Sequence, residues 1–206
     1  MSNPSSDGYK SAKHLLMHLK ADHRPVVFRR PECGHLRLSQ PTVAPFTEGK
    51  IESGLHSFAD SDVTHTGGVD MLAGGALDVI SQRQHLAAPD SYTAEITATV
   101  TVVHRIVPKR GFLQECRIAQ VEPTPLYVDS VGTVRTGSDE SSVKKSVWVR
   151  RKTNVLNDAH SHGVVDYMKV DEADNVSDGA SKPIKRAVHK RHRAYMSGEW
   201  PPSTSS

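Results

Sequence analysis

The 206-residue sequence contains only two cysteines, few aromatic residues and no long apolar run. Cys33 and Cys116 are far apart and lie in no C-x-x-C motif, so we expect no disulfide scaffold and a reducing compartment. The first residues, "MSNPSSDGYK", lack the apolar core of a signal peptide, and no stretch of about 18 apolar residues is present to span a membrane. These absences predict a soluble protein of the cytoplasm or the nucleus.

The composition indicates one domain with a modest, mostly aliphatic core, because hydrophobic residues make up 36% and aromatic residues only 5%. The formal net charge is +3, which by itself is too small to identify a nucleic-acid partner. The cations are clustered, however, in residues 144–152 and 182–193, whereas acidic residues gather around 158–178. A basic surface beside an acidic pocket would suit an enzyme that cleaves a polyanion. Two solvated helix faces are the alternative interpretation.

Residue periodicity predicts alternating helices and strands. Residues 8–22 predict an amphipathic helix, and "LHSFAD" predicts a short strand. "GGVDMLAGGALDVISQ" predicts a hairpin that turns at Gly74 and Gly75. "PTPLYVDS" and "GVVDYMKVDE" predict strands, a helix is expected between them with Val143 and Val147 on one face, and the basic segment near the C-terminus predicts a final helix.

The segment "SYTAEITATVTVVHRIV" is ambiguous. Its β-branched residues favour a strand, whereas the stripe formed by Ala94, Ala98, Val102 and Ile106 favours a helix that stops at Pro108. We favour the helix. The predicted order of elements is that of a mixed α/β domain in which helices cover a sheet.

Four acidic residues stand out by their positions: Asp60 and Asp129 end strand-like runs, Glu95 lies between them, and Asp178 follows the last predicted strand. Carboxylates brought together in a fold repel one another unless a counter-charge is present. Oxygen ligands favour Mg²⁺ or Mn²⁺, and two such ions about 4 Å apart can promote phosphodiester hydrolysis. The alternative is that each residue lies separately on the surface or caps a helix.

Six motifs, in order over roughly residues 8–196, resemble the ribonuclease H domain of Copia-type retrotransposon polyproteins. These motifs are "GYKSAKHLLMHLK", "LHSFADSD", "TGGVDMLAGGALDVISQRQ", "APDSYTAEITA", "PTPLYVDS" and "DEADNVSDGASKP". The resemblance implies a ribonuclease H-like fold with a mixed central sheet flanked by helices. It also implies a division into an N-terminal helix and connector (1–54), similar to the end of a reverse transcriptase region, and a ribonuclease H-like domain (55–196). The composition of the last residues predicts a disordered tail (197–206).

The resemblance implies that two Mg²⁺ or Mn²⁺ ions are held by four catalytic carboxylates. Asp60 would bridge both ions, Glu95 and Asp129 would complete the shell of the first, and Asp178 would bind the second. Asp62 would have a supporting role. The implied reaction is hydrolysis of the RNA strand of an RNA–DNA hybrid, and the implied partners are that hybrid and a reverse transcriptase, with no membrane.

The motif "KKSVWVRRK" is our candidate for phosphate binding. Its four cations are Lys144, Lys145, Arg150 and Arg151. The neighbouring Trp148 is expected in the core, with packing against a sugar as the alternative.

Several residues depart from the family pattern. Val63 replaces a tryptophan that often follows the Asp-x-Asp motif, and Ser177 and Ser181 replace an alanine and a threonine. The sequence also carries no polymerase body. Two alternatives to an active ribonuclease H therefore stay open, namely a non-catalytic nucleic-acid-binding remnant or domesticated module, and an inert fragment.

Overall fold

The structure, a computed structural model, describes residues 38–46, 64–73, 75–84, 90–138 and 147–198, with the first range described for its backbone alone. Five strands form one mixed sheet. They are β1 (Leu38–Phe46), β2 (His65–Leu72), β3 (Gly75–Arg83), β4 (Thr124–Val128) and β5 (Val165–Lys169). The strand order is β3-β2-β1-β4-β5, with β1–β2 and β2–β3 antiparallel and β1–β4 and β4–β5 parallel.

Five α-helices and one short 3₁₀-helix are described. They are α1 (Ser91–Glu115), α2 (Val131–Ser138), α3 (Val147–Ser161), the 3₁₀-helix Glu172–Asp174, α4 (Asp178–Ser181) and α5 (Arg186–Met196). The predicted mixed α/β architecture with helices around a central sheet is confirmed. None of the described helices combines the length and the apolar character that a membrane span requires.

The helices cover both faces of the sheet. A Cβ atom at Gly68 would lie 3.0 Å from Val102 of α1, whereas one at the preceding Gly67 would meet Ser177 and Ser181 beside α4. Successive residues of a strand point to opposite faces, so α1 and α4 lie on opposite sides of β2. The larger core joins α1 and α3 to β3, β4 and β5, and a smaller one places Tyr195 and Met196 of α5 beside Val69, Met71 and Val176.

The predicted hairpin is confirmed, since β2 and β3 pair antiparallel from His65 opposite Arg83 to Leu72 opposite Gly75. Ala73 adopts a φ of 50° at the turn. The predicted strand "LHSFAD" lies outside the described residues.

Strand β1 comes from the segment that the sequence analysis assigned to a connector. Its strand pattern is weak because prolines occupy positions 41 and 45, and its pairing with β2 shifts register between Ser39 and Thr42. In the structure this strand nevertheless lies at the centre of the sheet, between β2 and β4. The division of the chain at residue 54 stays a prediction.

Helix α1 confirms the interpretation of the ambiguous segment, because the predicted stripe from Ala94 to Ile106 is buried. The prediction that Pro108 ends the helix is wrong, since α1 continues to Glu115. A proline removes the hydrogen bond to the carbonyl four residues earlier, here that of His104. Both Pro108 and His104 are exposed, so water can solvate that carbonyl.

Helix α3 buries a different face against the core from the one that we predicted. Val147 is 60% exposed, whereas Val149 and Leu156 are buried and Val143 lies outside the described residues. Trp148 is also partly exposed, at 38%, and the ammonium of Lys152 lies 4.0 Å from its ring centroid. The expectation that Trp148 lies in the core is therefore wrong. Lys152 also donates to Thr97 on α1, which fixes the two helices against each other.

Candidate active site

Glu95 lies in the first turns of α1, whose start is well defined. Asp90 caps the helix by accepting a hydrogen bond from the Thr93 amide at 2.6 Å. The buried Gln84 side chain then ties this turn to the sheet, because its amide donates to the Ala94 carbonyl and to the Thr66 hydroxyl. The position of Glu95 is thus set by a local cap and by a side chain from the end of the hairpin.

The Glu95 carboxylate is half-buried and faces the start of α2. The Thr133 hydroxyl donates to its Oε2 atom at 3.1 Å, and Ser130 supplies a second hydroxyl hydrogen bond. Burial raises the pKa of Glu95, and the negative charge of Asp129 acts in the same direction, although the two hydroxyl bonds oppose it. Such a group is stabilised as an anion when a cation is added nearby.

Asp129 directly follows β4. The strand alternates buried Thr124, Leu126 and Val128 with partly exposed residues, so its inner side chains anchor it to the core. The Oδ1 atom of Asp129 is buried and has no hydrogen-bond partner among the described residues. A buried carboxylate oxygen without a donor is costly, which makes this atom a candidate ligand for a cation.

Asp178 begins α4 and is 4% exposed. Its Oδ2 atom is paired with the Lys182 ammonium at 2.8 Å, whereas its Oδ1 atom is buried without a described hydrogen-bond partner. Burial raises the pKa of Asp178, Lys182 opposes this, and the negative charge of Asp129 raises it further. Asp178 thus resembles Asp129 in having one oxygen left unsatisfied.

The sheet register explains why Asp129 and Asp178 are neighbours. Val43 of β1 is level with Val128, so Ala44 follows beside Asp129, and Ala44 pairs in turn with Gly67 on β2. Gly67 has only a hydrogen atom facing the Ser177 carbonyl, which lets α4 lie directly on the strand. The same end of the central strands therefore carries Asp129 and supports the segment that contains Asp178.

Three of the four predicted carboxylates, Glu95, Asp129 and Asp178, are near enough to one another for the charge of Asp129 to act on both Glu95 and Asp178. Asp60 and Asp62 lie outside the described residues, and β1, at the sheet centre, contains no acidic residue. Within the described ranges no three His, Cys, Asp or Glu side chains form a group that could hold a metal ion. The two buried oxygens that have no hydrogen-bond partner among the described residues fit a divalent cation, but the assignment of all four carboxylates as metal ligands stays a prediction.

Among the predicted phosphate-binding cations, Arg150 and Arg151 are exposed on α3, and Lys144 and Lys145 lie outside the described residues. A separate cavity of about 430 Å³ between α1 and α3 is lined mainly by apolar side chains, including Val103, Val107 and Val155. None of the three carboxylates lines it, so it is not part of the candidate site.

Sequence reasoning assigned no role in the site to four residues that support it: Gln84, Thr133, Lys182 and Gly67. Gln84, Gly67 and Lys182 lie within the motifs quoted above, so their positions carried a signal. The sequence did not show which residues they contact, because Gln84 contacts Ala94 and Gly67 contacts Ser177 across gaps in sequence that only the tertiary fold closes.

Comparison with known proteins gives matches among solved structures alone. No family model and no curated protein matches the sequence. The N-terminal ribonuclease H domain of Rv2228c from Mycobacterium tuberculosis is 14% identical, with a TM-score of 0.51, covering 71% of this chain and 91% of that one. The chain has a ribonuclease H-like fold.

A second ribonuclease H, LC11-RNase H1 from a compost metagenome, matches this domain equally well. It is 13% identical, with a TM-score of 0.51, and the match covers 69% of this chain and 91% of that chain. The same enzyme in complex with an RNA/DNA hybrid matches with a TM-score of 0.50 at 12% identity, over 69% and 92% of the two chains. At these identities the likeness establishes the fold of the ribonuclease H-like domain and not its activity.

The raised pKa values predict how pH and Mg²⁺ act on stability. Glu95 and Asp178 bind a proton more readily in the folded chain than in the unfolded chain, so the metal-free protein loses stability as pH rises above the ordinary carboxyl pKa of about 4. If these carboxylates hold Mg²⁺, the ion would bind their ionised form and restore this stability. The Mg²⁺-induced rise in Tm should therefore be larger at about pH 8 than at about pH 5. Calorimetry with and without Mg²⁺ measures it, and an equal rise at both pH values contradicts the prediction.

Proposed function

We propose that this chain hydrolyses the RNA strand of RNA–DNA hybrids, as a ribonuclease H of the Copia retrotransposon type. The observation that carries the proposal is a pair of buried oxygens, one on Asp129 and one on Asp178, that have no hydrogen-bond partner among the described residues and lie beside the half-buried Glu95 in a ribonuclease H-like fold. The retrotransposon origin rests on the six sequence motifs. A hybrid formed by reverse transcription would occur in the cytoplasm or the nucleus, where we place the protein.

In this proposal two divalent cations supply the activation of the attacking water and the stabilisation of the leaving oxygen. Glu95 and Asp129 would hold one ion and Asp178 the other, with Asp60 joining both. The hydroxyls of Ser130 and Thr133 keep Glu95 in place. Burial of Asp178 and of the unpartnered oxygen of Asp129 leaves their charges poorly solvated by water and so increases their attraction for cations.

The substrate is proposed from two sources. One solved relative is in complex with an RNA/DNA hybrid, and the exposed Arg150 and Arg151 on α3 are suited to phosphate groups. Discrimination of RNA from DNA would come from contacts to 2′-hydroxyl groups along the minor groove. A reverse transcriptase partner is proposed on the sequence resemblance alone.

The test is cleavage of a labelled RNA–DNA hybrid by the full chain with Mg²⁺. We expect cuts in the RNA strand that leave 5′-phosphates, with the DNA strand and duplex DNA intact. Addition of EDTA should stop the reaction. A preparation that binds the hybrid tightly but does not cut it favours a non-catalytic binding module, which is the second candidate because the described residues contain no complete metal-binding group.

Removal of the two α3 charges should weaken hybrid binding. Each side-chain cation that neutralises a phosphate releases about one counterion on binding. Its removal therefore lowers the slope of log affinity against log salt concentration by about one. Arg150→Gln with Arg151→Gln should therefore reduce affinity about tenfold at moderate salt and flatten the salt slope by up to about two. Fluorescence anisotropy with a labelled hybrid at several salt concentrations measures both quantities. The matched control is Arg117→Gln, which removes an exposed charge just beyond the end of α1. Equal losses in both proteins would contradict the assignment.

A further inference from the structure

Lys182 lies between two carboxylates beside the candidate site. Its ammonium is 2.8 Å from Asp178 Oδ2 and 3.2 Å from Glu172 Oε1. The exposure of the side chains to solvent increases along the three residues, from 5% for Asp178 to 27% for Lys182 and 77% for Glu172. The three residues therefore form a chain of ion pairs that runs from the solvent to the buried carboxylate.

The backbone around Lys182 is held firmly, so this ion pair is not a loose surface contact. The Lys182 amide donates to the Asp178 carbonyl at 2.9 Å, and the Ser81 hydroxyl of β3 donates to the Ala180 carbonyl at 2.6 Å. Gly67 packs directly against Ser177 and Ser181. These contacts fix α4 on the sheet and set the position of both ends of the ion pair.

The two oxygens of Asp178 are consequently not equivalent. Oδ2 is engaged by Lys182, whereas Oδ1 is buried and has no hydrogen-bond partner in the described part of the chain. Residues that bind the distal atom of a metal ligand fix the ligand's orientation and contribute to metal affinity. We infer that Lys182 is a positioning residue that holds Asp178 by Oδ2 so that Oδ1 binds the divalent cation, and that Glu172 holds Lys182 in place.

This inference rests on the proposed function. It assigns a positioning role to a residue that would contact neither the substrate nor the metal. The opposite role is that of a competitor, because an ammonium group near a metal site repels a cation. The two roles differ in sign. A positioning lysine increases metal affinity, whereas a competing lysine decreases it.

The experiment is a Mn²⁺ titration of the full chain at about pH 8, with free Mn²⁺ measured by electron paramagnetic resonance. Lys182→Met should weaken Mn²⁺ binding about 10- to 100-fold, and Lys182→Arg should recover most of the affinity because it keeps a donor with a positive charge. Lys190→Met is the matched control. Lys190 is exposed on α5, and its side chain makes no ion pair or hydrogen bond with another described residue. Unchanged or tighter binding by Lys182→Met overturns the inference.

A second variant keeps the test decisive if Lys182→Met does not fold. Glu172→Gln leaves the Lys182–Asp178 pair in place and should weaken Mn²⁺ binding by only about two- to fivefold, a loss smaller than that of a direct positioning partner. An unchanged Mn²⁺ affinity of Glu172→Gln would show that Glu172 does not hold Lys182 in place. Where Lys182→Met is unfolded, this result would count against the inference. If wild-type protein binds no Mn²⁺ and cleaves no hybrid, both the proposed function and the inference about Lys182 fail. If wild-type protein binds and cleaves but Lys182→Met does the same, only the inference fails.

Discussion

Asp129→Asn is expected to reduce cleavage of the RNA–DNA hybrid by about 10³-fold, which corresponds to about 4 kcal/mol of transition-state stabilisation. The negative charge of Asp129 acts on both Glu95 and Asp178, so its neutralisation alters the whole group. The amide has nearly the same shape as the carboxylate, and the strand that carries it is anchored by the buried Leu126 and Val128. Steady-state cleavage rates with saturating Mg²⁺ give the measurement.

The fold should survive this substitution, because it removes a charge whose Oδ1 atom is buried and has no hydrogen-bond partner in the described part of the chain. We therefore expect the metal-free Tm of Asp129→Asn to equal or exceed that of the wild type, with a smaller rise on adding Mg²⁺. Asp166→Asn is the control, since Asp166 lies on the neighbouring strand β5 but is exposed. Retention of more than about a tenth of the wild-type rate in Asp129→Asn would place the catalytic group elsewhere.

Gly67→Ala is expected to destabilise the protein by about 1–3 kcal/mol and to abolish most of the hybrid cleavage. A Cβ atom at this position would lie 2.6 Å from the Ser177 carbonyl oxygen and 3.0 Å from the Ser181 amide. These are backbone atoms that cannot turn away, so α4 must shift off β2. The shift displaces Asp178, the first residue of α4, together with Lys182. Denaturant unfolding and the hybrid cleavage assay measure the two effects.

Gly111→Ala is the matched control for this prediction. Gly111 lies within α1, and among the described residues no atom beyond its chain neighbours and the nearby helix backbone would be within 4 Å of its added Cβ. Alanine favours helix over glycine by about 1 kcal/mol, so this variant should be slightly more stable and fully active. A Gly67→Ala protein with wild-type stability and activity would show that α4 does not depend on close contact with β2.

Local pattern was sufficient where an element's contacts are close in sequence. The stripe from Ala94 to Ile106 repeats at helical spacing, and it correctly indicated α1 although the β-branched residues favoured a strand. The hairpin of β2 and β3 was equally accessible, because its partners are joined by a short turn. Pro108 misled the prediction because the cost of a proline inside a helix depends on whether water reaches the carbonyl that it leaves free, and exposure of His104 is a tertiary property.

Strand β1 shows the opposite case. Two prolines weaken its local pattern, and it is a strand because β2 and β4 supply hydrogen-bond partners on either side. Trp148 shows the same limit for burial, since its residue type predicted a core position and its place on α3 left it beside Lys152 at the surface.

The sequence by itself determined which side chains are available for chemistry: a small set of carboxylates at the ends of strand-like runs and at the start of a helix, with basic segments nearby. It also determined the local elements that carry them. The tertiary structure alone decided that Asp129 acts electrostatically on both Glu95 and Asp178, because these residues are far apart along the chain and only the fold brings them near one another. The Lys182–Asp178 pair is local in sequence, since the two residues are four positions apart, but the burial of Asp178 and the close contact of its helix with β2 are set by the fold.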